Sequence, residues 1–206
     1  MQDQVQVDQV EVTEDRSTKI KNNITDFLQS VVIAIAVCIV TYFLVATPNQ
    51  IEGQSMEPNF FNGEIVLTSK IHQWFGSTQI GKSMGFTYNR GDVAVFQKPG
   101  FNDFIKRIIA VPGDKIQLKD GYVYVNNEKL DESYLPANLE TPEGTFLKEG
   151  EGALTVPQDQ YFLMGDNRSN SHDSRYADIA FVKREWFKGK VLVRYWPLNT
   201  FKIVSK

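Results

Sequence analysis

Hydrophobic and polar positions divide the chain into three stretches of different character. Positions 1–23 are polar and mostly acidic, with no large apolar side chain before Ile20. Such a segment cannot bury enough apolar surface to offset the entropy of ordering it, which predicts a disordered tail. The recurring Val5, Val7, Val10 and Val12 allow a short edge strand as the alternative. From Phe27 to Ala46 there is then no charge at all, and the uncharged run continues to Ile51. A helix needs roughly 20 apolar residues to cross a bilayer, so positions 24–47 are expected to form one transmembrane helix. A cleaved leader is the rival reading. A long acidic segment before the run, the length of the run and the lack of a small-x-small site after it favour a retained anchor.

From residue 48 the pattern changes to short β-branched runs bounded by Gly, Pro or Asn, the signature of strands. Positions 64–68, 92–96, 104–111, 161–164 and 190–196 read this way. Residues 115–125 read as a hairpin whose Asp120-Gly121 pair suits a turn needing positive φ at both central positions. One short helical turn fits near 183–187, and no long helical periodicity follows the apolar run. Residues 131–157 hold Pro136, Pro142, Gly144, Gly150, Gly152 and Pro157 and read as a loop-rich excursion. The expected fold is mainly β: an antiparallel β-sheet domain over 48–206, with a smaller β- and loop-rich subdomain at 115–158, preceded by one N-terminal transmembrane helix.

Charge adds an orientation. Arg16, Lys19 and Lys21 precede the apolar run, and the next basic residue is Lys70. Basic residues stay on the cytoplasmic side, so the tail is expected in the cytoplasm and residues 48–206 outside a single-pass cell membrane. The net charge of −3 gives no reason to expect a nucleic-acid partner. A single cysteine, Cys38, and two histidines, His72 and His172, leave no disulfide framework and no obvious metal centre, and no cofactor is expected.

A Ser-His-Asp hydrolase fits poorly. Ser55 follows Gly53-Gln54, but a nucleophile elbow needs glycine at 57, where Glu57 stands. His72 lies among Trp and Phe and reads as a packing or surface residue; His172, between Ser171 and Asp173, keeps a small claim as a base. Four stretches, taken in order behind the apolar run, carry a different message. They are Gln54-Ser55-Met56-Glu57-Pro58; Gly91-Asp92-Val93-Ala94-Val95-Phe96; Lys106-Arg107-Ile108-Ile109-Ala110-Val111-Pro112-Gly113-Asp114; and residues 165–175, Gly-Asp-Asn-Arg-Ser-Asn-Ser-His-Asp-Ser-Arg. Together they resemble the bacterial type I signal peptidases, over about 51–175 and the strand after it.

The resemblance implies a membrane-anchored serine endopeptidase that cuts signal peptides from exported preproteins after small residues of the Ala-x-Ala type. Its partners are then those signal peptides and the lipid bilayer. It implies Ser55 as nucleophile and Lys106 as general base. Physics sets one condition: lysine normally titrates near 10.4, so Lys106 must be stripped of water to be neutral and useful at physiological pH. The resemblance also makes Ser171 the hydroxyl that orients the lysine, and Asp173 with Arg175 a supporting ion pair; Asp166 pairs with Arg107 in the same way. The Ser55 N–H is one oxyanion donor. Some relatives carry a serine two residues before the nucleophile, where Gly53 stands here, so the second donor is open. Met56, Phe104 and Ile105 occupy positions that shape shallow pockets for small side chains. The Asn102-Asp103-Phe104 segment is the candidate edge on which an extended substrate adds a strand. Phe60, Phe61, Trp74 and Phe75 suit either the bilayer interface or ordinary core packing. Two other readings stay open: a self-cleaving regulatory protease with the same pair of residues, and a membrane-tethered β-rich binding module without activity.

Overall fold

The protein is described by a computed structural model that covers residues 2–76 and 78–204. It divides into an N-terminal unit ending at Leu44 and a second unit from Val45 onward. The first unit is one helix, α1 (Gln2–Leu44). Within it Lys21–Tyr42 is long and apolar enough to cross a membrane by length and composition, and none of it is buried. The helix begins at Gln2, so positions 2–23, expected to be a tail without order, are helical. No glycine or proline occurs before Pro48, so no backbone breaker separates the acidic stretch from the apolar one. The helix also stops before the predicted boundary at 47, because the chain enters a strand at Ala46.

Among the described residues the second unit contains twelve strands: β1 (Ala46–Gln50), β2 (Ile65–Ser69), β3 (Val93–Gln97), β4 (Asp103–Ala110), β5 (Lys115–Lys119), β6 (Tyr122–Val125), β7 (Glu128–Lys129), β8 (Leu154–Thr155), β9 (Gln160–Met164), β10 (Val182–Lys183), β11 (Phe187–Trp196) and β12 (Lys202–Ile203). A large sheet has the order β1-β2-β11-β3-β4-β9-β10, with β12 also on β11; a small one has the order β7-β6-β5-β8. Every pairing between these strands is antiparallel. The fold is therefore the expected antiparallel β class, with a smaller sheet and long loops inserted between β4 and β9. In the β5–β6 turn Asp120 has φ 51° and Gly121 φ 73°, the positive pair that the hairpin requires. The small sheet does not stand alone. Its Ile116, Leu118, Val123 and Val125 share one core with Ile109, Phe162 and Met164 of the large sheet.

Several elements are absent from the periodicity reading. Strands β7, β8, β10 and β12 are two residues long and give no alternation to detect. Strand β1 reads Ala-Thr-Pro-Asn-Gln; Pro48 is tolerated because β1 is the sheet's edge. Two five-residue helices, α2 (Ile71–Phe75) and α3 (Gln79–Ser83), lie between β2 and β3. The turn expected near 183–187 is a 3-10 helix at Arg184–Trp186.

Strand β4 is paired unequally on its two sides. With β3 it pairs over Asp103–Arg107, from Gln97↔Asp103 to Val93↔Arg107. On its other side β9 pairs only with Arg107, Ile108 and Ala110. Residues 103–106 thus face no named strand on that side, and they line a cleft instead.

Candidate active site

The cleft has a volume of about 810 Å³ and runs between residues 48–56 on one side and 102–106 on the other, with Asn170 and His172 at its rim. Ser55 sits on the turn that follows β1, and Lys106 is the last residue of the unpaired part of β4. The lysine Nζ lies 2.6 Å from the serine Oγ. Residues 51 positions apart meet because β1, β2, β11, β3 and β4 lie side by side in one sheet.

Lys106 is 3% exposed, and Ala94 stands opposite it on β3. Its Nζ lies 5.6 Å from the centre of the Phe104 ring, two residues away on the same face of the strand. The removal of water brings its pKa down from the usual 10.5 to about 8; the Asp173 and Asp166 carboxylates oppose this and the Arg175 guanidinium assists it. No carboxylate forms an ion pair with it among the described residues. A lysine held this way is neutral in a useful fraction of molecules at neutral pH, and its free electron pair can accept the Ser55 proton.

The 165–175 loop builds the wall behind the nucleophile. Asn167 N–H donates to the Ser55 carbonyl oxygen at 3.0 Å, and Asn167 Nδ2 to that of Gln54 at 3.1 Å. Two bonds from one residue pin the turn that presents Ser55. Gly165 makes this approach possible. A Cβ there would stand 2.2 Å from Ser171 Oγ and 2.4 Å from the Ser55 carbonyl oxygen, closer than any side chain tolerates. Neither Asn167 nor Gly165 stood out as a site residue in the sequence, although both lie in the stretch that carried the resemblance; each acts against the main chain of the 54–55 turn, which no residue type advertises.

Two buried ion pairs hold the loop. Arg107 Nε and Nη2 grip Asp166 at 2.8 and 2.7 Å, and Asn59 Nδ2 adds a third bond to that carboxylate at 2.9 Å. Arg175 Nε and Nη2 grip Asp173 at 2.8 and 2.9 Å. Burial opposes the Asp173 charge, but Arg175 and the Gly165 N–H outweigh it and hold the carboxyl below its ordinary range. Arg175 also donates to the carbonyls of Pro142, Arg168 and Ser171, while Arg168 reaches Thr141 and pairs with Glu132. The excursion at 131–157, which carries no motif, is thereby tied to the loop behind the nucleophile.

The geometry places four of the expected site residues as follows. Ser171 Oγ is buried and meets no hydrogen-bond partner, so it makes no bond to Lys106; it lies near enough to Asp173 to favour that charge without proper bonding geometry. The Gly53 N–H is committed to Asn62 Oδ1 at 2.9 Å and does not point a free donor at the cleft, whereas the Ser55 N–H donates to no group among the described residues. Met56 is 1% exposed and packs with Ile51, Phe60, Val66 and Val95, so it forms the cleft's floor rather than an open pocket. Asp103 is bound bidentately by Lys188 at 2.7 and 2.8 Å at the exposed start of β4. Phe104 and Ile105 line the cleft, Phe104 stacking on Phe96. His172 stands at the rim, bonded to Asp178 at 2.7 Å, and is not among the partners of Ser55. His72 is buried against Phe86, away from the cleft lining.

Comparison with known proteins finds a family and several relatives. Residues 24–196 match the family described as signal peptidase, peptidase S26. The signal peptidase I of Bacillus licheniformis is 30% identical over 194 residues, covering 93% of this chain and 98% of that protein. Signal peptidase IB of Staphylococcus aureus (strain COL) is 30% identical over 192 residues, covering 88% of this chain and 94% of that protein. A crystal structure of a signal peptidase I from Enterococcus faecalis V583 is 30% identical and covers 50% of this chain and 94% of that one, with a TM-score of 0.41. These kinships make the protein a serine peptidase, and the chain belongs to the signal peptidase family, peptidase S26.

Proposed function

We propose that the chain is a membrane-anchored endopeptidase that removes signal peptides from exported preproteins, with Ser55 as nucleophile and neutral Lys106 as general base. The observation that carries this reading is the 2.6 Å contact between a serine hydroxyl and a buried lysine amine that lacks an ion-pair partner among the described residues. Lys106 Nζ takes the Ser55 proton as Oγ attacks the scissile carbonyl carbon. The negative charge that develops on the carbonyl oxygen meets the uncommitted Ser55 N–H. The tetrahedral intermediate collapses as Nζ passes its proton to the departing amine, which leaves an ester on Ser55. Water, deprotonated by the same amine, then hydrolyses the ester.

Substrate selection follows from the free side of β4. An extended peptide can bond to the main chain of residues 103–105, where β9 leaves the strand unpaired. The floor is filled by Met56 and the walls by Phe104 and Ile105, which leaves shallow depressions suited to alanine-sized side chains. The apolar helix brings the enzyme to the same bilayer in which signal peptides are embedded, with the basic residues Arg16, Lys19 and Lys21 keeping its N-terminus in the cytoplasm.

The test is to mix the detergent-solubilised protein with a preprotein and map the cut by mass spectrometry. One cut after an Ala-x-Ala segment, absent with Ser55→Ala, is the expected result. Undiminished cutting by Ser55→Ala, or cutting of the chain itself and nothing else, would overturn the reading.

A further inference from the structure

Two carboxylates line the cleft, Glu52 and Asp103. Lys188 grips Asp103 at 2.7 and 2.8 Å. Behind the nucleophile, Asp166 and Asp173 are paired with Arg107 and Arg175. Glu52 differs from all three. Its side chain is exposed on the cleft wall and meets no hydrogen-bond or ion-pair partner among the described residues. Lys106, the one lysine in the lining, has its amine on Ser55. The open cleft therefore carries an uncompensated negative charge on one wall.

That charge is held in a fixed place. The Ile51 N–H donates to the Glu64 carbonyl at 2.8 Å and the Gly63 N–H to the Ile51 carbonyl at 2.8 Å, which carries the β1–β2 ladder one residue past Gln50. On the other side of Glu52, the Gly53 N–H is tied to Asn62. Ile51 is buried with Met56 in the cluster that makes the floor. Successive side chains of an extended chain point to opposite sides, so Glu52 is turned toward the opening. A bound Ala-x-Ala segment alternates in the same way. With its two alanines on the floor, the side chain x points to the opening, the side on which Glu52 stands. The spans also match. Glu52 precedes Ser55 by three residues, at most about 10 Å of chain, and x precedes the scissile bond by two, about 7 Å of extended peptide.

We propose that Glu52 reads the middle residue of the Ala-x-Ala segment, favouring lysine or arginine at x and disfavouring aspartate or glutamate. This rests on the reading of Ser55 and Lys106 as the pair that cuts signal peptides, and it adds a selectivity to that same cleft. The small floor pockets select by size at the two alanine positions, and the wall selects by charge between them. An exposed ion pair is a modest interaction that salt screens, so the selectivity is one of rate among substrates and not an absolute requirement.

The test uses the full chain in a nonionic detergent and peptides that span a preprotein cleavage site and differ only at x, as Lys, Gln or Glu. Values of kcat/KM, with the cut mapped by mass spectrometry, are expected to favour Lys over Glu by about fivefold in about 0.05 M salt, with Gln between, and to converge in about 0.5 M salt. The same Lys and Glu placed four residues before the cut or two after it should be distinguished less. Glu52→Gln should bring the Lys-to-Glu ratio to about one, Glu52→Asp should keep the preference for Lys, and Glu52→Lys should invert it. A merely structural role for Glu52 predicts no inversion. A ratio near one in the parent protein, a preference that survives Glu52→Gln, or one that is largest at another substrate position overturns the proposal. If Glu52→Lys does not fold, the isosteric Glu52→Gln decides alone. Failure of the underlying reading looks different: the peptides are then uncut, cut elsewhere, or cut equally by Ser55→Ala. Peptides cut once after Ala-x-Ala at the same rate whatever the charge at x would remove Glu52 and spare the pair.

Discussion

Lys106 and Arg107 are neighbours on β4, each only 3% exposed, and the protein treats the two charges in opposite ways. On the Arg107 side the guanidinium is bonded twice by Asp166, which is bonded again by Asn59, and Tyr134 stacks on it at 4.0 Å. That is how a buried charge is made tolerable: it is paired and its donors are satisfied. On the Lys106 side the amine receives an aromatic ring and a serine hydroxyl, and no carboxylate among the described residues. An isolated ammonium there is costly, so the group holds its proton less tightly and titrates at about 8. The first arrangement holds a loop in place and the second makes a base. Burial is the same in both; the partner decides the outcome. Arg could not replace Lys at 106, since a guanidinium keeps its proton in any protein environment.

The contrast can be broken from either side. The largest effect is expected at the reacting pair. Ser55→Ala and Lys106→Arg should each lower kcat by about 10⁴-fold or more, the scale at which removal of a nucleophile or its base is felt; preprotein cleavage measured over time reads this. Robust turnover by Lys106→Arg would remove the amine as base. On the other side, Asp166→Ala leaves Arg107 buried and unpaired, and should cost about 3–5 kcal/mol of stability, measured by denaturant titration. A loss within experimental error would mean that the pair is not what holds the loop.

The sharpest test of the contrast is Lys106→Met. Here the pKa is lowered, from 10.5 to about 8, so the folded state loses its proton before the unfolded chain does. Below pH 8 the protein must carry a buried charge. That penalty amounts to about 3 kcal/mol at most and fades as pH rises from about 8 to 10.5, so stability contributed at this site increases with pH in that window. Lys106→Met should therefore be inactive and yet melt no lower, and at neutral pH higher, than the parent. The same titration sets the activity profile: kcat/KM should rise about tenfold per pH unit below about 8 and level off above it. A profile flat from about pH 6 to 9 would exclude the amine as the titrating base. The smallest effect is expected for His172→Ala, which should keep most of the activity because its ring is bonded to Asp178 at the cleft rim and not to Ser55. An inactive variant there would return the histidine to the mechanism.

Much of this was legible without coordinates, for reasons that differ by element. The runs that became β2, β3, β4, β9 and β11 are short, apolar and bounded by turn residues, which is enough to read them, and Asp120-Gly121 announces its own turn. The edge strand β1 and the two-residue strands exist only because neighbours pair with them. Ser171 shows the limit at the site. Its type and position suggested a bond to Lys106, whereas its hydroxyl is enclosed against Gly165 with no partner. Gly53 shows the same limit, since nothing in the residues around it says that its N–H is taken by Asn62.

By itself, the sequence determined the chemistry on offer: a serine, a lysine, the acids and arginines beside them, and an uncharged run long enough for a bilayer. Residue type and local periodicity are written in the order of the letters. Tertiary structure alone decided that the amine at 106 is dry and 2.6 Å from the hydroxyl at 55, that Arg107 has a carboxylate partner where Lys106 has none among the described residues, and that Trp74 and Phe75 face outward while Phe60 does not. Solvation and distance depend on which strands lie side by side. Between β1 and β4 in the sheet lie β2, β11 and β3, and β11 comes from the far end of the chain, so no local stretch of residues could announce that the two would meet.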